Sequence, residues 1–263
     1  MGILDQFRLD NKVAVITGAG RGIGAAIAKA YAEAGADIVL AARTEAQLQE
    51  TAKVVESFGR KAVTVVTDVM QPDQLENLVA KTMEAFGRID ILVNNAGGFP
   101  PKPMLKTSVE DFNAAFQFNV TTAFALSKLI IPKMVESAGG GAIVNISSVA
   151  GQEPSSFFTA YGTAKSALSF LTREMAQEFA PKVRVNAIAV GSTKTEALKN
   201  FLNDEIEAAM VELTPMARLG EVEDIAACAL YLASPAASYL TGDIVGVNGG
   251  LNALNMKMPG AFD

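Results

Sequence analysis

The chain has 263 residues, 50% of them hydrophobic, with 22 basic against 28 acidic side chains, one Cys, no Trp and no His. Without imidazole, Ser-His-Asp and Cys-His nucleophilic machines and two-His zinc motifs are excluded, so any proton transfer falls to another side chain. Cys228 alone closes no intrachain disulfide and builds no thiolate cluster, and a formal charge of −6 with no basic run offers nothing to a phosphate backbone or an anionic lipid surface. We therefore expect a cytoplasmic protein with no metal, nucleic-acid or membrane partner. The start, MGILDQFRLDN, lacks a cationic segment followed by an apolar one, and no apolar run approaches the ~18 residues of a membrane span.

In chain order, VAVITG (13–18) is the first of several short, almost continuously apolar runs. The others cover 37–42, 62–68, 90–97, 142–148, 184–191 and 243–250. Such runs predict strands buried on both faces. Between them, helical periodicity marks 22–35, 44–59, 71–87, 108–137, 160–180, 201–213 and 222–233, with Gly35, Gly59 and Gly87 placed to end the first three in a left-handed cap. The alternation predicts right-handed βαβ units and a doubly wound parallel α/β sheet of about seven strands. No linker or repeat interrupts it, so residues 1–263 read as a single domain with a tail at 251–263. Irregular sequence after strand ends at 98–107 and 191–213 marks the ligand side of such a sheet.

The first strand runs into Thr17-Gly18-Ala19-Gly20-Arg21-Gly22-Ile23-Gly24, which then opens a helix. Glycines here let the backbone approach a pyrophosphate, and the helix N-terminus offers free N–H groups. The spacing of Gly18, Gly22 and Gly24 resembles the TGxxxGxG turn of the short-chain dehydrogenase/reductase family. The second strand ends in Ala41-Ala42-Arg43-Thr44, with no carboxylate for the adenosine ribose of NAD. Arg43 suits a bidentate pair with a 2′-phosphate, with Arg21 over the same group, and this predicts NADP(H) over NAD(H), the latter staying possible.

Tyr161 and Lys165 are four residues apart in YGTAK and so share one helix face, thirteen residues and more beyond Ser148 at the end of NISS. A free tyrosine has a pKa of ~10, and bringing it to 7 needs roughly 4 kcal/mol of preferential stabilisation of the phenolate. A nearby ammonium and an oxidised nicotinamide are suited to supply it. Together, TGAGRGIG, NNAG (94–97), Asn119, Ser148 and YGTAK resemble the same family over nearly the whole catalytic half.

That resemblance implies a Rossmann fold and hydride transfer between a nicotinamide cofactor and a secondary alcohol or ketone. Tyr161 would be the general acid/base and Ser148 the donor to the substrate oxygen. Lys165 would bind the nicotinamide ribose and lower the Tyr161 pKa, while Asn119 would hold a proton-relay water. Cofactor contacts would come from Gly18, Gly20, Arg21, Gly22, Ile23, Gly24, Arg43, Thr44, Asp68, Val69, Asn95, Ala96, Gly97, Tyr161, Lys165, Gly191, Thr193 and Thr195. The family's usual Pro-Gly after the sixth strand is Val190-Gly191 here, which removes one φ constraint.

Residues Phe99–Pro103 and the stretch 195–220 are similar to bacterial 7α-hydroxysteroid dehydrogenases, which implies a sizeable apolar substrate. Phe99, Met104, Phe157, Phe158, Leu198 and Met210 are candidates to line its pocket. Reduction of 3-oxoacyl thioesters is an alternative within the family, and a non-catalytic cofactor-binding regulator is an alternative of another class. The resemblance also implies a homotetramer.

Overall fold

The computed structural model describes residues 2–199, 203–253 and 255–256. Of the tail expected at 251–263, Leu254 and residues 257–263 lie outside them, as do 200–202 of the expected ligand-side loop.

Seven strands form one sheet: β1 Val13–Thr17, β2 Asp37–Ala42, β3 Ala62–Val66, β4 Ile91–Asn94, β5 Gly141–Ser148, β6 Val183–Val190 and β7 Ile244–Val247. Their order is β3-β2-β1-β4-β5-β6-β7, and every neighbouring pair is parallel. The chain reverses its winding between β1 and β4, the place where open α/β sheets bind ligands.

Each central strand feeds two cores. Ala14 and Ile16 join Ile38, Leu40, Val144 and Ile188 under the helices α1 (Gly22–Glu33), α2 (Glu45–Ser57) and α9 (Val222–Ala233). Val13 and Val15 point the other way and join Leu92, Ile143 and Val185 under α3 (Pro72–Phe86), α5 (Thr122–Ala138) and α6 (Thr159–Phe179). Alternate side chains of one strand are therefore both buried, which is why the strand sequences read as continuous apolar runs. Gly35, Gly59 and Gly87 have φ of +107°, +70° and +69°, the left-handed conformation expected at these helix ends.

The stretch expected as one helix at 108–137 is instead three pieces. Ser108 and Asp111 form a reciprocal capping box that starts α4 (Val109–Phe116). A wide π turn at Gln117–Thr121 follows, in which Thr122 N–H donates to the Gln117 carbonyl, and α5 then continues. Taken together, Val109–Ala138 is long and apolar enough to cross a membrane. The sequence reading missed this because single polar residues interrupt every run without lowering the average much. The helix packs on the sheet through Leu126, Ile130, Ile131 and Met134, and buried Asn119, Thr122 and Ser127 lie along it. These are features of a core helix. The short α7 (Glu196–Lys199) and α8 (Asp204–Glu212) lie between β6 and α9.

Candidate active site

A cleft of about 550 Å³ opens along the carboxyl ends of the strands. Its walls include Gly18, Gly20, Arg21, Gly22, Ile23, Arg43, Thr44, Asp68, Val69, Asn95, Ala96, Gly97, Ser148, Tyr161, Lys165, Gly191 and Thr195. The fold thus brings together most of the residues singled out from sequence. Three others stand apart from the cleft lining. Gly24 lies beneath the glycine turn, Asn119 lies behind Gly97, and Thr193 lines a second cavity of about 320 Å³ between β6, β7 and α9.

Close packing dictates the glycine turn. Gly18 has φ +64°, and a Cβ there would stand 2.7 Å from Asn95 Nδ2; a Cβ on Gly24 would run into the Gly18 carbonyl. The first turn of α1 therefore stacks directly on the end of β1. Asn95 pins this arrangement, because its side-chain amide donates to the carbonyls of Thr17 at 2.9 Å and Gly18 at 3.2 Å. Thr17 Oγ1 in turn accepts the backbone N–H groups of Asn95 and Ala96, each at 3.0 Å. No side chain caps the N-terminus of α1 at Arg21, which leaves its first amides available to an anion. Asp68 spends one carboxylate oxygen on the Met70 N–H at 3.0 Å, fixing the corner after β3.

Arg21 departs from the sequence reading. Its guanidinium reaches Glu196 Oε2 at 2.9 Å, a partner the sequence reading did not name. Arg43 is exposed at the end of β2 and has no ion-pair partner among the described residues.

At the other end of the cleft, β5 delivers Ser148 and α6 delivers Tyr161 and Lys165. Ser148 Oγ accepts the Ala150 N–H at 3.2 Å, so its proton is free to be donated into the cleft. Lys165 is 4% exposed, and its ammonium donates to the Ile146 carbonyl at 2.7 Å while lying 5.7 Å from the Tyr161 ring centre. No carboxylate accompanies it, and burial pulls its pKa down to about 7. Burial pushes the Tyr161 phenol above its usual value, and a hydrogen bond with Ser148 opposes the rise.

Asn119 sits buried in the π turn. Its side-chain oxygen accepts the Gly98 N–H at 2.8 Å, and its amide donates to the carbonyls of Gly98 at 3.1 Å and Ala115 at 2.8 Å. A Cβ on Gly97 would lie 2.8 Å from Asn119 Oδ1 and 3.1 Å from Lys165 Nζ, so only glycine lets the chain pass between them. Both side-chain N–H groups of Asn119 are spent, which leaves one lone pair on its oxygen for a water. Val190-Gly191 is held without proline: Gly191 N–H donates to Val247 at 3.0 Å, and Thr193 bridges to Gly220, which turns Thr193 away from the cleft.

Sequence reasoning passed over Gln47, Thr67, Ser147 and Glu196, all of which line the cleft. Gln47 had a signal, one turn into the helix after Thr44, and Glu196 directly follows Thr195. Among the described residues no cluster of His, Cys, Asp and Glu is suited to a metal. Of the candidate substrate residues, Phe158 lies edge-on to Tyr161 with ring centres 6.2 Å apart, while Met210 is 2% exposed and belongs to the core.

Cradle, unsatisfied first turn and buried cation define a dinucleotide-dependent oxidoreductase site, and similarity to known proteins agrees with it. A family model described as enoyl-(acyl carrier protein) reductase matches residues 18–252. An uncharacterized oxidoreductase of Mycobacterium tuberculosis is 51% identical over 98% of each chain. The 7α-hydroxysteroid dehydrogenase of Escherichia coli K12 is 42% identical over 94% of this chain and 96% of its own. A solved structure of a 7α-hydroxysteroid dehydrogenase complexed with NADH and 7-oxo glycochenodeoxycholic acid superposes with a TM-score of 0.92, at 40% identity, covering 97% of this chain and 99% of that one. The chain belongs to the short-chain dehydrogenase/reductase family and is an oxidoreductase of that family.

Proposed function

We propose that the protein interconverts a secondary alcohol and a ketone on a sizeable apolar, hydroxysteroid-like substrate, with preference for NADP(H) over NAD(H). The observation that carries the reading is the convergence of Ser148, Tyr161 and Lys165 on one cleft, with Lys165 buried and facing no carboxylate. A bound nicotinamide dinucleotide supplies or accepts the hydride. Tyr161 passes the proton to or from the substrate oxygen, and Ser148, whose own oxygen already accepts from Ala150, donates to that oxygen as charge develops on it. Lys165 is placed to receive a ribose hydroxyl and to hold positive charge beside Tyr161, while Asn119 anchors the Gly97–Gly98 corner and keeps a lone pair for a relay water.

The glycine cradle fits the pyrophosphate and Asp68 the adenine side. Arg43, exposed at the end of β2 and without an ion-pair partner among the described residues, supports the 2′-phosphate preference. The solved relative holds NADH, so the cofactors must be compared directly. Apolar Phe124 on α5 and Phe170 on α6 remain 49% and 59% exposed, surface that a homotetramer would cover. A relative from Thermotoga maritima described as a 3-oxoacyl-[acyl-carrier-protein] reductase, 34% identical over 93% of this chain, supports a second substrate class, 3-oxoacyl thioesters.

The test is a panel of ketosteroids, other ketones, alcohols and acyl thioesters assayed with both cofactors. We expect steroid turnover with the higher kcat/KM for NADPH. Turnover of thioesters alone would move the substrate class, a preference for NADH would remove the role given to Arg43, and cofactor binding with no turnover anywhere would favour a regulator.

A further inference from the structure

The two lips of the cleft are joined at one point. Arg21 stands in the glycine turn at the start of α1, Glu196 opens α7 after β6, and their side chains meet at 2.9 Å across 175 positions of sequence. Both line the cleft. Beside the pair, a Cβ on Gly22 would lie 3.9 Å from the Thr195 methyl, so no more than about one carbon's width separates the turn from the segment after β6. Arg21 and Glu196 have no other ion-pair partner among the described residues.

The two side chains are 56% and 61% exposed, so the pair does little to hold the fold. Its position matters more. Arg43 and Asp68 mark one end of the cleft and Tyr161 and Lys165 the other, with the glycine turn between them. A molecule long enough to touch both ends must cross the turn, under the span from Arg21 to Glu196.

We propose that the Arg21–Glu196 pair is a gate over the middle of the cleft, which parts to admit the dinucleotide and parts again to release it. This rests on the dinucleotide reading above. A gate that closes over both the free and the occupied cleft slows entry and exit by the same factor, and leaves affinity nearly unchanged. Only a difference in gate strength between the two states can alter Kd.

The experiment is stopped-flow fluorescence of NADPH with the wild-type protein and with Glu196→Gln. Because exposed pairs are weak, we expect association and dissociation rate constants each to rise about two- to fivefold in the variant. Kd should stay within about twofold. Glu196→Asp keeps the charge but shortens the reach, and should behave like Glu196→Gln. In wild-type protein about 0.5 M NaCl should accelerate release toward the variant's rate, while release from Glu196→Gln responds less, a difference that a purely steric contact would not produce.

Rates indifferent to both substitutions would overturn the gate. So would a tighter Kd with unchanged release, which would mean that Glu196 competes with cofactor phosphates for Arg21. Failure of the wild-type protein to bind either NADPH or NADH at equilibrium would instead overturn the dinucleotide reading itself.

Discussion

Among the described residues, the two edges of the sheet each bury one charge and treat it oppositely. At the amino edge, just before β4, the Asp90 side chain is 2% exposed and accepts from Lys12 Nζ at 3.0 Å, Val13 N–H at 3.0 Å, and Arg88 Nε and Nη2 at 2.8 and 2.7 Å. Burial pushes this carboxyl up, but Arg88, the Val13 amide and Lys12 together prevail and hold it below its usual range. At the carboxyl edge Lys165 is as deeply buried, yet has a single carbonyl for company and is pulled down to about 7. A charge given every partner serves the architecture; one left underpartnered beside a cleft is poised for chemistry.

The largest effect that tests this contrast is at the carboxyl edge. Tyr161→Phe removes the only proton-transfer group on the Lys165 face, and should cut turnover by roughly 10²–10⁴-fold with dinucleotide binding retained. Equilibrium titration with NADPH beside steady-state assays separates the two. Next comes Lys165→Met, which should also cripple turnover but raise stability. Lysine's native pKa near 7 lies below the ~10.4 of an unfolded chain, so between those values the unfolded state binds more protons and wild-type stability rises with pH. The Met variant should therefore gain on the order of a few kcal/mol below pH 7, a gain that fades toward pH ~10. Urea titrations at several pH values check the sign, and a destabilised variant at pH 6 would show that Lys165 is better satisfied than its surroundings suggest.

The carboxyl edge was largely legible in the sequence because its parts are local. The glycine turn, the strand-end Ser148 and the Tyr161–Lys165 spacing each need only a few consecutive residues, and β–α alternation brings them to one side of the sheet. What stayed hidden depends on long-range approach. Arg21 is a neighbour of the β2 end in sequence logic, but the turn directs it to Glu196. Thr193 was drawn away by its bridge to Gly220, and the π turn at Asn119 is visible only once Gly98 is seen docking against it. Burial of the Tyr161 phenol, which pushes its pKa up against the hydrogen bond with Ser148, is likewise a property of the packed cleft that residue spacing does not carry. The Asp90 cluster joins Lys12, Arg88 and Asp90 across β1 and β4, and nothing in the local sequence announces it.

A smaller effect is expected at the amino edge. Asp90→Asn keeps one acceptor but loses the charge-assisted bonds, and should cost about 1.5–3 kcal/mol near neutral pH while activity per folded molecule stays the same. Because the native pKa of Asp90 is depressed, this contribution is complete above the unfolded value of ~3.9 and is lost as pH falls through the lower native one. The wild-type and variant stability curves should therefore converge in acid. Convergence well above pH 5 would mean that Asp90 is not the depressed carboxyl.

The smallest effect decides whether distance or burial governs the contrast. Glu84 meets Lys81 on α3 at 2.7 Å, the same separation as Arg88 Nη2 and Asp90, and the hydrogen bond from Lys81 likewise lowers its pKa. The Glu84 and Lys81 side chains, however, are 69% and 53% exposed, so water and salt screen the attraction and holding two long side chains in one geometry costs entropy. Glu84→Gln should leave the thermal midpoint unresolved from wild type, at low as well as high ionic strength, whereas Asp90→Asn shifts it clearly. If Glu84→Gln cost as much as Asp90→Asn, proximity alone would account for both. The division between an architectural charge and a reactive one would then lose its basis in burial.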